Sequence, residues 1–170
     1  MKEVINLLPI GHYLRTSYHL RELTKALDHL QGSYFHKNQS FLETLSKEVA
    51  FPLNELLKDL AIENQVNLEN TAEVDLFLNR LRDDVQVIPH LTLTLNIEPT
   101  AGLIQAVNEW IILNLRKAII LDFELDTKIV GGAIIAYQGK IVDHTLKKRI
   151  EALMTANMQV KQPENQQTAN

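Results

Sequence analysis

The sequence predicts an α+β protein: an N-terminal helical bundle, then a small C-terminal domain of order strand, helix, strand, hairpin and helix. Apolar residues recur at steps of three and four as far as about residue 85, which is the spacing of amphipathic helices. Apolar and polar residues then alternate strictly over 91–97, as in a strand buried on one face. A Gly-Gly pair and two short β-branched runs follow at 131–142. The predicted units are a helical domain at 1–86, an α+β domain at 90–155 and a disordered polar tail at 156–170.

Capping residues and proline predict where the helices of the first half begin and end. Ser40, with Glu43 three residues later, has the pattern of a capping box, and Asn70 with Glu73 repeats it. Pro52 must interrupt or restart a helix because it lacks a backbone donor. The first long helix is predicted to bury one apolar stripe, which consists of Ile10, Tyr13, Leu14, Leu20, Leu23, Leu27 and Leu30.

The second half is predicted to build a sheet. A helix starts after Pro99 and Thr100, and residues 118–125 form a second strand that is covered on both faces at 119–121. Because a helix links these strands, a parallel pair with a right-handed crossover is favoured. The linking helix is predicted to bury Leu103, Ile104, Val107, Trp110, Ile111 and Leu115.

The last stretch predicts a hairpin and a capped helix. Gln138-Gly139 separates the two β-branched runs, and Gly supplies a positive φ for a tight turn. Asp143 or Thr145 then accepts a hydrogen bond from the first turn of a helix at 146–153.

The net charge and the composition exclude several classes of function. The net charge of −4 gives no basic footprint for nucleic acid, and the absence of cysteine excludes disulfides, thiolate catalysis and cysteine-based metal sites. No signal peptide and no apolar run of about 18 residues is apparent, so we expect a cytoplasmic protein that inserts in no membrane.

The sequence offers little for catalysis or metal binding. The six histidines contain no His-x-x-x-His pair, and we predict no metal site and no cofactor. Gly131-Gly132 lacks the remaining residues of a phosphate-binding loop. Asp122, Glu124 and Asp126 alternate along a strand, so they share a face and could perform acid–base work. A solvated strand face is the alternative that we favour, and a small hydrolase or phosphotransferase is the least favoured hypothesis.

The stretch from 126 to 150 resembles the C-terminal signature of the delta subunit of F-type ATP synthase, the family of the oligomycin-sensitivity-conferring protein. The residues of this signature to which we assign a structural role are Asp126, Gly131, Gly132, Asp143, Thr145 and Arg149. Lys140 also fits the pattern directly, whereas Leu146, Lys147 and Ile150 replace similar residues at the same spacing.

This resemblance implies a stator subunit rather than an enzyme, serving ATP synthesis and proton transport. It implies that the helical domain binds the alpha subunit of the catalytic head, beside beta, and that the C-terminal domain meets the b subunits of the peripheral stalk. The protein would then lie at the cytoplasmic face of the cell membrane, with no nucleic acid or small-molecule substrate. The candidate partner contacts are Tyr13, Leu20, Leu27, Lys147 and Lys148.

A second resemblance leaves an alternative open. The E subunit of V- or A-type ATPase stalks also has Gly-Gly, a hairpin and a related four-residue string, which Asp143-His144-Thr145-Leu146 resembles. That family begins with one long charged helix. Residues 1–85 have apolar stripes and are interrupted at Gly32 and Pro52, which disfavours the E subunit.

Overall fold

The structure is a computed structural model that describes residues 5–34 and 40–160, with side chains as far as residue 155. Seven helices lie in these ranges: α1 (Leu8–Gly11), α2 (Ser17–Tyr34), α3 (Phe41–Glu48), α4 (Leu53–Glu63), α5 (Thr71–Gln86), α6 (Ala101–Leu115) and α7 (Leu146–Val160). The strands there are β1 (His90–Leu95), β2 (Ile120–Leu125), β3 (Ile134–Tyr137) and β4 (Lys140–Asp143). The predicted mixture of helices and sheet, with the helices mainly N-terminal, is confirmed.

The chain packs as two compact units that interleave along the sequence. Unit 1 comprises Met1–Leu91 and Thr100–Asp122, and unit 2 comprises Thr92–Pro99 and Phe123–Asn170. Both β1 and β2 pass from unit 1 to unit 2 partway along their length. The domain boundary predicted between residues 86 and 90 stays a prediction. The two units of the structure meet at several positions in the sequence rather than at one.

Unit 1 is held together by a leucine-rich core. Leu23, Leu27 and Leu30 of α2 are fully buried with Leu57 of α4 and Leu81 of α5. Full burial of such a side chain is worth about 1.5–3 kcal/mol. The apolar stripes that periodicity predicts therefore provide the main cohesion of this unit.

Side-chain caps fix the starts of two helices where the sequence predicts them. The Ser40 hydroxyl accepts a hydrogen bond from the Glu43 amide at 3.3 Å. The Asn70 side chain accepts from the Ala72 amide at 3.1 Å, while the Glu73 carboxylate accepts from the Asn70 side chain at 3.0 Å. Each cap satisfies amides that a helix start leaves without partners.

The strands form one sheet in the order β2-β1-β3-β4. The Ile120 amide donates to the Pro89 carbonyl at 3.0 Å, and the Asp126 amide donates to the Leu95 carbonyl at 2.8 Å. Both bonds have the same sequence offset, so β1 and β2 run parallel. β3 and β4 are antiparallel, with Tyr137 opposite Lys140 across a two-residue loop. Gln138 and Gly139 have φ of 47° and 76°, as a two-residue hairpin of this hand requires.

Asp122 connects the start of α2 to the sheet within unit 1. Its carboxylate accepts a hydrogen bond from the Ser17 hydroxyl and contacts His90 Nδ1 at 2.6 Å. Nearby, the Leu121 amide donates to the Arg15 carbonyl at 2.9 Å, and Thr16 forms an isolated parallel bridge with Leu121. Residues 105 positions apart in sequence are thereby joined.

Two predictions about packing and length are corrected. Trp110, predicted to lie in the core, is 58% exposed, because α6 buries the face of Asn108, Ile111 and Ile112 instead. The α6 helix carries apolar residues on all of its sides, so its sequence did not determine which side is buried. The final helix extends to Val160, so residues 156–160 of the predicted tail are helical, and 161–170 lie outside the described residues.

We predict that Asp122→Ala lowers the free energy of unfolding by about 1–2 kcal/mol, since it removes a charged partner from both Ser17 and His90. Glu124→Ala is the matched control on the same strand, because Glu124 is exposed and its carboxylate accepts a hydrogen bond from the Thr94 hydroxyl at 3.4 Å. Its effect should stay within about 0.5 kcal/mol. Denaturant unfolding measures both, and equal losses would contradict the role assigned to Asp122.

Candidate partner-binding surface

The first signature residue shapes a turn in unit 2. The Asp126 carboxylate accepts a hydrogen bond from the Lys128 amide at 2.9 Å, and its carbonyl accepts from the Ile129 amide at 3.1 Å. This geometry is typical of Asp in turns. It turns the chain so that Ile129 is buried, at 7% exposure, between the exposed residues Lys128 and Val130.

The Gly-Gly pair brings two backbone segments into direct contact. A Cβ at Gly132 would lie 2.3 Å from the His144 carbonyl oxygen and 2.9 Å from the Thr145 Cα, and the residue has a φ of +83°. Both the space and the backbone angle therefore demand glycine. The Gly131 carbonyl accepts a hydrogen bond from the Leu146 amide at 3.0 Å, which joins this segment to the start of α7.

Asp143 and Thr145 close the same junction. The Asp143 carboxylate accepts from the Thr145 amide at 2.8 Å, and the Thr145 hydroxyl accepts from the Lys148 amide at 3.3 Å. Thr145 is thus the cap of α7, and its side chain is buried. Hydrogen bonds from Thr145, first from its side chain and then from its backbone, lower the pKa of the Asp143 carboxyl, with a further contribution from Lys148.

α7 emerges from this junction with an uncovered apolar stripe. Every side chain from 146 to 155 is exposed. Leu146, Ile150, Leu153 and Met154 are at positions i, i+4, i+7 and i+8, so they lie along one side of the helix. Leu153 is 65% exposed. An isolated helix of 15 residues is marginally stable in water, and an apolar stripe of this kind is normally packed against another element.

The basic residues of α7 are distributed around this stripe. At 3.6 residues per turn, Lys147 and Arg149 flank the stripe on opposite sides, whereas Lys148 points away from it. Lys148 instead pairs with Glu151 at 3.9 Å, an exposed pair of little energetic weight. Of the two lysines predicted to contact a partner, Lys147 therefore lies where it could reach a partner bound to the stripe. Arg149, a residue of the signature, lies beside the stripe as well.

Edge strand β4 adds exposed apolar surface to unit 2. Ile141 and Val142 are both exposed there. Among the strands that the structure describes, β4 is the last in the sheet order and pairs with β3 alone. Unpaired edges bind additional strands readily, and here Lys140 and Asp143 place charges at the two ends.

The predicted contacts in unit 1 have different environments. Leu27 is fully buried in the core, so its assignment changes from partner contact to core residue. Leu20 is half-buried and packs against that core. Tyr13 is half-buried with its ring 5.3 Å from that of His19, and burial, followed by Glu22 and Tyr18, raises the pKa of its phenol. Only Tyr13 and Leu20 thus retain any surface for contact.

The three strand carboxylates are engaged in different contacts. Asp122 sits between Ser17 and His90, whereas a catalytic triad requires the histidine between the other two groups. Glu124 is exposed beside Thr94, and Asp126 forms its turn. Among the described residues, no three His, Cys, Asp or Glu side chains are grouped to hold a metal ion.

The main feature of this surface is not among the contacts predicted from the sequence. The predicted partner contacts on α7 are Lys147 and Lys148, and they do not include Ile150, Leu153 and Met154. Their helical spacing was available in the sequence, but an apolar stripe normally indicates core, and only the exposed fractions show that this one is uncovered.

A scan of family models gives no match, and a search of curated proteins gives none. In the part of the chain that the structure describes, no helix has the length and apolar character to cross a membrane.

We predict that Gly132→Ala lowers the free energy of unfolding of unit 2 by about 3 kcal/mol or more, since the added methyl group meets backbone atoms. Gly131→Ala adds no clash and should cost about 1–2 kcal/mol through its φ of +96° alone. Amide exchange in β3 and β4 measures the change.

Gly32→Ala is the matched control, because a methyl group there meets nothing within 4 Å and the position is helical. It should be neutral or stabilising by up to about 1 kcal/mol. Equal losses at Gly32 and Gly132 would contradict the close-approach argument.

We predict that acid destabilises the start of α7, because the Asp143 carboxylate becomes protonated. Because its pKa is lowered on folding, its stabilisation is fully present above the unfolded pKa of about 3.9 and is lost as the pH falls through the lower folded pKa. Asp143→Asn should remove this pH dependence from amide exchange at Thr145 and Lys148. Glu151→Gln serves as the control. If amide exchange in Asp143→Asn kept the pH dependence of the wild type, the role assigned to Asp143 would be wrong.

Proposed function

We propose that this chain is a peripheral-stalk subunit of an F-type ATP synthase that links the catalytic head to the b subunits. Its role is mechanical: it resists the torque of rotation and transforms no substrate. The proposal includes the finer architecture, an N-terminal helical bundle followed by a unit of order strand, helix, strand, hairpin and helix. It also includes a location on the cytoplasmic face of the cell membrane, reached through partners.

The strongest support is the geometry of the signature residues. Gly132, Asp143 and Thr145 meet in one junction although 11 to 13 positions separate the glycine from the other two. The β3–β4 hairpin brings its two ends together, with Ile134 opposite Asp143, and the close approach at its base requires glycine at 132. The spacing shared with the delta-subunit signature is thus the spacing that the junction needs.

The uncovered stripe of α7 supports binding to the b subunits. A coupling subunit has to offer apolar surface to a partner, and Leu146, Ile150, Leu153 and Met154 offer it on a helix that buries none of its described side chains. Flanking by Lys147 and Arg149 suits a partner helix with acidic residues at its edges.

The packing of unit 1 favours the F-type over the V- or A-type alternative. The E subunit begins with one long charged helix, whereas unit 1 contains several short helices around a common core, the longest having 18 residues. Helices that share a buried core suit a domain that receives a segment of the alpha subunit on its outer surface.

Purification of the native complex tests the proposal. The chain should co-purify with alpha, beta and b subunits from its own cells, at a fixed stoichiometry. Recovery of the chain free of these subunits, under conditions where the rest of the synthase stays intact, would refute it. Recovery with V- or A-type stalk subunits would favour the alternative.

A pair of variants locates the b-binding face. Leu153→Asp places a charge in the stripe and should reduce recovery of b at least tenfold while alpha is retained. Thr155→Asp introduces the same charge on the opposite side of α7 and should bind b normally. Equal recovery of b with both variants would remove α7 from the interface without excluding the stator role.

A further inference from the structure

The residues at the start of α2 are attached to strand β2. Thr16 forms its parallel bridge with Leu121, and the Leu121 amide donates to the Arg15 carbonyl at 2.9 Å. The Ser17 hydroxyl then donates to the Asp122 carboxylate. We call these contacts of residues 15–17 with 121–122 the α2–β2 joint. All five residues belong to unit 1, and the joint fixes where α2 begins relative to the first half of β2.

A histidine lies in the first turn of the helix that this joint holds. His19 is the third residue of α2, and its Nδ1 contacts the Thr16 hydroxyl at 3.0 Å. Its half-buried ring packs edge-to-face with Tyr13 and Tyr18, at centroid distances of 5.3 and 5.6 Å. Protonation of His19 therefore places a charge in direct contact with Thr16, a member of the joint.

Three features of this position disfavour a charged imidazole. Burial, followed by the charge of Arg15, lowers the pKa of His19. The Arg15 side chain is held in place, because its Nε donates to the His12 carbonyl at 2.8 Å. The start of a helix also carries a partial positive charge, which disfavours a further cation in the first turn. Neutral His19 is thus the form that suits the closed joint.

The other charged groups around the joint act differently. On the helix side, Glu22 raises the pKa of the Tyr13 phenol and pairs with Lys25 at 3.1 Å. On the sheet side, the Asp122 carboxylate contacts His90 Nδ1 at 2.6 Å. A protonated His90 gains a charge-assisted hydrogen bond to this carboxylate, so its charge does not open the joint.

From this arrangement we propose that the α2–β2 joint is a pH-sensitive contact, closed when His19 is neutral and opened when His19 is protonated. Because the pKa of His19 is lowered on folding, its contribution to closure is fully present above the unfolded pKa of about 6.5. That contribution is lost as the pH falls through the lower folded pKa. Opening releases residues 15–17 from 121–122, while the buried leucines of α2 stay in the core of unit 1. The inference does not depend on the proposed stator function.

Two neighbouring amides report on the joint and on the sheet separately. The Leu121 amide donates to Arg15 across the joint, whereas the Ile120 amide donates to Pro89 beside β1. Between about pH 7.5 and about pH 5.5, the protection factor of the Leu121 amide against hydrogen exchange should fall about threefold or more, while that of Ile120 stays unchanged. The fall should follow the titration of the His19 ring, measured by NMR on the same sample. Equal falls at both amides, no fall at Leu121, or a fall at a different pH from the His19 titration would overturn the proposal.

Histidine variants identify the group that titrates. His19→Gln removes the charge and should give the Leu121 amide the same protection factor at both pH values. His12→Gln is the matched control, because His12 is exposed and lies just before the joint, and it should keep the wild-type pH dependence. His90→Gln should keep it as well. If His90→Gln abolishes the fall and His19→Gln retains it, His90 controls the joint and the proposal is wrong. Should His19→Gln fail to fold, the comparison of Leu121 with Ile120 in the wild-type chain still decides the question.

Discussion

The backbone of Gly132 approaches the carbonyl of His144 so closely that only a residue without a side chain closes unit 2. From this contact the rest of the junction follows. The Gly131 carbonyl is placed to accept from Leu146, the Thr145 hydroxyl is placed to cap α7, and the hairpin between them is held by the bond from the His144 amide to the Ala133 carbonyl at 2.9 Å. The direction in which α7 leaves the hairpin depends on these contacts, since no side chain of the helix from 146 to 155 is buried.

The two units differ in how they are stabilised. Unit 1 buries a continuous set of leucines from α2, α4 and α5, and burial of apolar surface is sufficient to account for its cohesion. Among the described residues of unit 2, only Leu93, Ile129 and Thr145 are buried, each with 5–8% of its surface exposed, and the unit depends more on hydrogen bonds and close backbone contact. A unit of that kind gains stability when a partner covers its exposed apolar surface.

Exposed apolar side chains lie along one side of α6 and along one side of α7. The stripe on α6 runs over about three turns, through Leu103, Ala106, Trp110 and Leu113, and the stripe on α7 runs over about two turns. Each has the spacing of a helix that packs against another helix. Their chemistry differs, because Lys147 and Arg149 flank the α7 stripe, whereas the one charged residue of α6 is Glu109.

The sequence by itself determined the local features of this protein. The caps at Ser40 and Asn70, the turn at Gln138-Gly139 and the mixture of helices and strands follow from short-range rules of spacing and backbone preference. It also indicated the signature residues, although not that Gly132 lies against His144.

Only the tertiary structure decided which apolar residues are covered. Trp110, Leu113 and Leu153 lie on apolar helical stripes, as do Leu23, Leu27 and Leu81, yet the first three are exposed and the last three are buried. Helical periodicity specifies that a stripe exists and which residues belong to it. Whether that stripe faces the protein's own core or a partner depends on contacts between residues far apart in the chain, and the periodicity of one helix contains no information about them.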